Sequence, residues 1–355
     1  MTIYIITFNN TTNVGASLQE YALYKYLCNK GHDVFIIDYL PDKLKREISF
    51  THRFYCPLSL SNLCRALLLT PIDMIKNYKF WTFTRNIRKT PRCHSVYDIQ
   101  NLTPPDLFIC GSDQIWNPDI AGYDEGFFLH FLSNTKKASY SASIGKNVLN
   151  TKEKNAILKL TEYIDYISVR EKEALFMLPE LRAKGAIQTL DPVFLLPTKF
   201  YEEIAVKPTV KNYILVYEAE MNKLCGDIAK VIADKFSLKT VQIERINNRY
   251  RLDKVMPCVS PAEFIGLVAH ADFIVTNSFH GIALSIILKK DFYYIPLAEK
   301  KDRVSNLLEI GGLQNRSVQS NNDISYDTIN YQQVTAKFSN MLKQSQEYLN
   351  HITST

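Results

Sequence analysis

Glycine is the first thing this chain lacks. Only 12 of its 355 residues are Gly, about half of the usual ~7%. That excludes collagen-like, Gly/Ser-linker and propeller architectures. No G-x-G-x-x-G or G-x-x-x-x-G-K-[ST] string occurs, so glycine-rich dinucleotide and P-loop fingerprints are excluded too. Paired cysteines are missing: Cys28, Cys56, Cys64, Cys93, Cys110, Cys225 and Cys258 form no C-x-x-C and no zinc spacing. Such an odd, scattered set predicts reduced thiols in an intracellular chain. No apolar run approaches the ~18 residues of a membrane span. The start, MTIYIITF, has neither a basic n-region nor a cleavage site, which predicts a soluble, cytoplasmic protein. H-x-x-H, H-E-x-x-H, clustered acids and G-x-S-x-G are all absent, so no metal and no hydrolase site is expected.

What is present is globular. At 46% hydrophobic and 22% charged the chain is not disordered, and 355 residues predict two domains. The net charge of +6 is concentrated: residues 42–98 carry 11 Lys/Arg against 4 Asp/Glu, whereas the remainder carries 31 against 32. Phe50, Phe54, Tyr55, Tyr78, Phe80, Trp81 and Phe83 interleave with these cations. Such a segment either grips an anionic headgroup or diphosphate or is a solvated helical insertion. No nucleic-acid motif accompanies it, so no nucleic acid is expected as a partner.

Hydrophobic patterning gives the architecture. Residues 2–8 read as a buried strand, 17–29 as a helix stopped by Gly31, and 33–39 as a second strand, a β-α-β opening. Helices are predicted at 59–69 and 72–80, and strands at 106–110, 137–144 and 166–169. A second unit follows, with strands at 213–217, 240–243, 272–275 and 292–295. Ser260-Pro261-Ala262-Glu263 is a capping box. The expected fold is α/β: two Rossmann-like domains facing a cleft, 1–197 and 198–355, with the helical tail 332–348 packing back on the first.

In such sheets ligands sit beyond the carboxyl ends of strands, near helix N-termini that favour anions. Four segments fit. In DFIVTNSFHGIAL, Asn277, Ser278, Phe279, His280 and Gly281 follow a strand, and His280 is placed for acid–base work or a phosphate contact. In FICGSDQIWNPD, Ser112, Asp113, Gln114 and Trp116 pair a carboxylate with an aromatic face, which suits a sugar as well as it suits an N-cap beside a core ring. Arg170 after YISV suits an oxyanion or a salt bridge. Asn13, Gly15 and Gln19 occupy the first β-to-α turn.

Six strings in order, NVGASLQEYALYKYL, FICGSDQIWN, SYSASIG, ISVREKEA, LDPVFLL and ADFIVTNSFHGIALSIIL, resemble the polysaccharide pyruvyl transferase family. LLEIGGL continues the resemblance past Arg303. It implies a fold similar to the GT-B glycosyltransferases, with phosphoenolpyruvate as co-substrate and no cofactor. The enolpyruvyl group would pass to a sugar, giving a pyruvate ketal and phosphate. It ties His280 and Arg170 to the phosphoenolpyruvate site. Many members carry Arg two positions before that histidine, where this chain has Ser278, so either the missing cation comes from Arg303 or Lys146 or the donor geometry differs. Asp113 is expected to orient the acceptor or serve as a second base, and Asn13, Gly15, Gln19, Ser112, Gln114 and Trp116 to hold the saccharide. The acceptor implied is a lipid-linked repeat of a capsule or exopolysaccharide; residues 42–98, outside the resemblance, are then expected to hold its diphosphate or the inner membrane face. A nucleotide-sugar glycosyltransferase and a non-catalytic saccharide-binding module are the alternatives.

Overall fold

The computed structural model describes residues 1–41, 60–243, 250–297 and 301–354, with the side chains of 60–69 and 301–303 outside the description. The chain divides into two compact units, Met1–Leu195 with Leu342–Thr355, and Leu196–Met341. Both are α/β with parallel sheets, as the patterning predicts.

In the first unit, β1 (Thr2–Ile6), β2 (Asp33–Ile36), β3 (Leu107–Cys110) and β4 (Lys136–Ser139) form a sheet in the order β2-β1-β3-β4. Ile3 sits opposite both Val34 and Leu107, and Leu107 opposite Lys136, all in parallel register. Bridges from Ala138 to Tyr166 and from Ala142 to Val169 lead on to β5 (Ser168–Val169), which pairs with β6 (Ile187–Gln188). Parallel strands are covered on both faces and so read as unbroken apolar runs. The LFIC of β3 is buried at every position.

Helix α1 (Val14–Asn29) connects β1 to β2. Asn13 caps it, its side chain accepting from the Ala16 amide at 3.1 Å, and Gly31 at φ +87° lets the chain leave. It starts three residues before the expected 17–29 and is buried without a break from Val14 to Glu20, so it is an enclosed helix rather than a half-buried one. The two helices expected at 59–69 and 72–80 are one, α2 (Leu60–Thr84), which runs through Pro71. The basic residues of 42–59 lie outside the described residues. Helices α3 (Thr151–Leu160) and α4 (Lys172–Met177) follow.

The second unit carries β7 (Tyr213–Tyr217), β8 (Lys239–Ile243), β9 (Lys254–Met256), β10 (Phe273–Thr276) and β11 (Phe292–Tyr294) in the order β11-β10-β7-β8-β9. Its helices include α5 (Lys223–Phe236), α6 (Pro261–His270), α7 (Phe279–Ile287) and α8 (Lys301–Gly311). The Ser260 capping box forms as read, with Pro261 opening α6. The last helix, α9 (Tyr331–Ser354), begins in the second unit and ends in the first. There Tyr348 Oη donates to Ser139 O at 2.8 Å, and Ser345 Oγ accepts from Leu190 N at 2.9 Å.

Candidate functional site

The strand order of the second unit reverses between β7 and β10. In doubly wound sheets that reversal opens a crevice at the carboxyl edge. Thr276 ends β10, and its hydroxyl donates to Tyr217 O at 2.6 Å and accepts from Ser278 N at 3.0 Å. Asn277 straps the two strand exits together: Oδ1 accepts from Ala219 N at 2.7 Å and Nδ2 donates to Glu220 O at 2.6 Å. Ser278 is the N-cap of α7, accepting from Gly281 N at 3.5 Å. The helix begins at Phe279, immediately after its cap. His280 therefore stands in the first turn of α7, 8% exposed with its Nε2 buried, and edge-on to Phe279 at 5.2 Å. A Cβ on Gly281 would lie 2.5 Å from Thr276 Oγ1, so only glycine lets the helix start this close to the strand. The outcome is a histidine at a helix N-terminus, where backbone amides and the macrodipole favour an anion. Glu218 follows directly on β7. It accepts from Asn222 N at 2.8 Å, Gln242 Nε2 at 2.9 Å and Tyr250 Oη at 3.1 Å.

The carboxyl edge of the first unit gathers a second set. Asp113 bridges Ala142, and Ala142 bridges Val169. Ser143 N donates to Asp113 O at 3.0 Å and Arg170 N to Ala142 O at 3.1 Å, so the exits of β3, β4 and β5 lie in one row. Gly111 makes this possible: at φ +118° its Cβ position lies 2.2 Å from Tyr140 O. Asp113 is itself left-handed at φ +73°, partly exposed, with Oδ1 accepting from Gln114 N at 2.8 Å.

Arg170 is turned inward. Its side chain is 3% exposed and donates from Nη1 to Asp191 Oδ2 at 3.0 Å and from Nε to Glu171 Oε1 at 3.2 Å. Burial pulls the guanidinium pKa down, but Glu171, Asp191 and Asp113 outweigh it and raise it. One guanidinium among three carboxylates does not offer an anion site. Of the fork expected to grip phosphoenolpyruvate, Nε and Nη1 are spent on protein carboxylates.

Other expectations change as well. Trp116 is fully buried, stacked on Phe128 at 5.4 Å, with its indole N–H donating to Phe127 O at 3.2 Å; it cannot stack on a sugar. Ser112 is fully buried and donates to Ser141 O at 3.0 Å and Asp191 Oδ2 at 3.3 Å. Gln19 is fully buried as well, donating to Thr7 Oγ1 at 2.9 Å and accepting from Ser112 N at 3.1 Å. These two hold the β1 and β3 exits together instead of meeting a ligand. Gly15 is enclosed in the first turn of α1, and exposed Asn13 spends its Oδ1 on the cap. Gln114 is partly exposed and accepts from Asn117 Nδ2 at 2.9 Å. Lys146 pairs with Glu153 at 2.8 Å and Asp119 at 3.1 Å, the hydrogen bond to Glu153 raising its pKa. The side chain of Arg303 lies outside the described residues.

Asp191 and Glu218 were not singled out in the sequence, although LDPVFLL contained the first. Among the described residues no group of three or more His, Cys, Asp or Glu converges on a metal-sized site.

A family model described as polysaccharide pyruvyl transferase matches residues 13–297. No curated protein matches the chain. Solved structures similar to it include a UDP-GlcNAc 2-epimerase from Methanocaldococcus jannaschii, 11% identical over 100% of both chains with TM-score 0.49. A UDP-GlcNAc 2-epimerase from Neisseria meningitidis is 12% identical, covering 98% of this chain and 93% of its own, TM-score 0.46. UGT89C1 of Arabidopsis thaliana is 11% identical over 98% and 99%, TM-score 0.46. Likeness at this level says nothing of the ligands this chain takes.

Proposed function

Because the chain belongs to the polysaccharide pyruvyl transferase family, matched over residues 13–297, we propose that it transfers the enolpyruvyl group of phosphoenolpyruvate to a saccharide, forming a pyruvate ketal and releasing phosphate. The observation that carries this reading is His280 in the first turn of α7, at the β7/β10 strand reversal. The donor is trianionic, and the amides of that turn favour the anion. His280 protonates the departing phosphate, and Asp113, on the first unit, orients an acceptor hydroxyl.

The test is phosphate release from phosphoenolpyruvate with a panel of galactosides and mannosides, products identified by mass. His280→Ala should lower acceptor-dependent release by ~10²–10⁴-fold, the usual contribution of a general acid. Near-wild-type release from that variant would sink the assignment. Phosphoenolpyruvate should raise the melting temperature by mass action where UDP-sugars do not; the reverse would favour a glycosyltransferase.

The acceptor proposed is a lipid-linked capsule or exopolysaccharide repeat, met by a cytoplasmic protein at the inner membrane face. Helix α2 supports this. Met74, Tyr78 and Trp81 are 58%, 65% and 57% exposed and share one helix face by their spacing of four and three. Ile75 (51% exposed) and Lys79 flank that face, and exposed Arg85 follows the end of the helix. An aromatic-plus-basic face of this kind lies in the anionic headgroup layer. Arg88 is engaged elsewhere, pairing with Asp33 and lying 4.0 Å over the Phe35 ring. Among the described residues no helix is long and apolar enough to cross a membrane.

A further inference from the structure

Arginine is almost never buried without a partner, because the desolvation of its charge must be offset by an opposite charge or by hydrogen bonds. Arg316, in the second unit, departs from that rule. It ends the short turn Gln314–Arg316 after α8, is 2% exposed, and keeps Nε and Nη1 buried without a hydrogen-bond partner. Nη2 donates to Asp327 O at 2.6 Å, and the guanidinium carbon lies 5.9 Å from the centre of the Tyr293 ring. Among the described residues no carboxylate pairs with it. The acids that follow it in the chain are engaged locally. Asp327 Oδ2 accepts from Ser325 Oγ at 2.5 Å, and Asp323 Oδ2 accepts from Gln319 N and Ser320 N, both at 2.8 Å.

Arg316 lines a cavity of about 170 Å³, room for about five waters at ~30 Å³ each. The Gly311–Gly312 end of α8 and residues 328–330 form two of its walls, and the first two turns of α9 form a third, through Gln333 and Lys337. Lys337 is exposed, and a Cβ on Gly312 would meet its Nζ, so the ammonium overhangs the rim. It too has no ion-pair partner among the described residues. The lining therefore holds two cations and no acid, beside the amides of Asn315, Asn330 and Gln333. The positive end of the 24-residue helix α9 adds to the same field.

This cavity is separate from the crevice at His280. Tyr331 Oη donates to Lys290 O, and Ile329 N donates to Asp291 Oδ1 at 2.7 Å. Both acceptors precede β11 (Phe292–Tyr294), which puts the cavity toward the amino edge of the sheet, whereas α7 starts beyond the carboxyl end of β10.

We propose that the cavity is a binding site for a phosphate-type oxyanion, held by Arg316 from within and by Lys337 at the rim. A doubly charged tetrahedral ion matches two cations, and the side-chain amides donate to its remaining oxygens. It supplies the counter-charge that the chain does not, and it ties the segment after α8 to the start of α9. Inorganic phosphate and a phosphate monoester share this chemistry. The proposal does not depend on the transfer reading.

Equilibrium dialysis of the intact protein against radiolabelled inorganic phosphate, in chloride buffer, measures the binding, and hydrogen exchange locates it. Wild type and His280→Ala should bind phosphate alike, and exchange should slow in peptides covering 311–337. Lys337→Ala, a surface change, should weaken binding ~10-fold, as loss of one charge-assisted contact does, and Lys337→Arg should restore it. Arg316→Met should abolish both the binding and the phosphate-dependent rise in melting temperature. If that variant does not fold, Lys337→Ala and Lys337→Arg decide alone. Methyl phosphate displacing the label as well as phosphate does would assign the site to a monoester, and displacement about tenfold weaker would assign it to the free ion. Binding that Lys337→Ala leaves unchanged, binding lost in His280→Ala, or protection confined to 276–287 would overturn the proposal.

Discussion

Arg170 separates a ligand-gripping arginine from a buried counterion, and the two predict opposite effects on stability. In Arg170→Met the guanidinium disappears while Asp191 (0% exposed side chain) and Glu171 (7%) stay buried. Breaking a buried ion pair by removing one partner costs ~3–5 kcal/mol. Here some donors remain: Ser143 Oγ stays on Glu171 at 2.5 Å, and Ser112 Oγ and Val193 N stay on Asp191 at 3.3 and 3.1 Å. Those neutral bonds offset part of the loss, which puts the cost at about 4 kcal/mol. For a unit of about 200 residues, Met1–Leu195 with Leu342–Thr355, each kcal/mol moves Tm by ~2–4 °C. The expected fall is therefore roughly 10 °C, measured by thermal unfolding with circular dichroism at neutral pH. Neutralising the partners as well, with Asp191→Asn and Glu171→Gln in the same chain, should return at least half of it. If Arg170→Met leaves Tm within about 2 °C of wild type, the carboxylates do not depend on the guanidinium and the counterion reading falls.

Trp116→Ala should cost ~3–5 kcal/mol of stability, as deletion of a fully enclosed ring does, while leaving saccharide affinity per folded molecule unchanged; a weakened affinity at unchanged Tm would contradict the burial. Burial, at 2% exposure on α1, raises the Glu20 carboxyl pKa, so Glu20→Gln should stabilise the protein at alkaline pH only. The folded pKa of about 7 lies above the reference 4.5, so the wild-type penalty is absent below pH 4.5 and grows to ~3 kcal/mol above pH 7. Denaturant midpoints of wild type and variant should coincide at pH 4.5 and separate by pH 8, and coincidence at pH 8 would refute the raised pKa. Trp81→Ala combined with Lys79→Ala should reduce co-sedimentation with vesicles containing ~30% anionic lipid, and added salt should reduce wild-type binding; equal binding to neutral vesicles would refute the charge argument.

Local signals carried the strands and turns, whereas the outcome at the site depended on contacts far apart in sequence. The runs at β1, β3, β7 and β10 were legible because both faces of a parallel strand are apolar, and the Ser260 box because a cap is written within four residues. Trp116 beside a carboxylate looks the same in one dimension whether the ring faces solvent or Phe128. Arg170 and Asp191 meet only because β5 and β6 pair Val169 with Gln188, a register that no local pattern encodes. Glu20 and Arg316 were passed over for a related reason: charged residues are ordinarily solvated, and the burial of both shows only in three dimensions. The parts that remained legible are those where a residue type is forced by backbone geometry. Gly111 and Gly281 each stand where a Cβ would strike a neighbouring strand end, at 2.2 Å from Tyr140 O and 2.5 Å from Thr276 Oγ1. In a chain this poor in glycine, both positions precede a residue or follow one, Asp113 and His280, on which the proposed chemistry depends. Gly281→Ala should therefore disturb His280 first: the clash with Thr276 must push the first turn of α7 outward, lowering turnover by more than tenfold while stability falls only by the ~1–3 kcal/mol typical of local overpacking. Unchanged turnover in that variant would show that the histidine does not need the close approach the glycine provides.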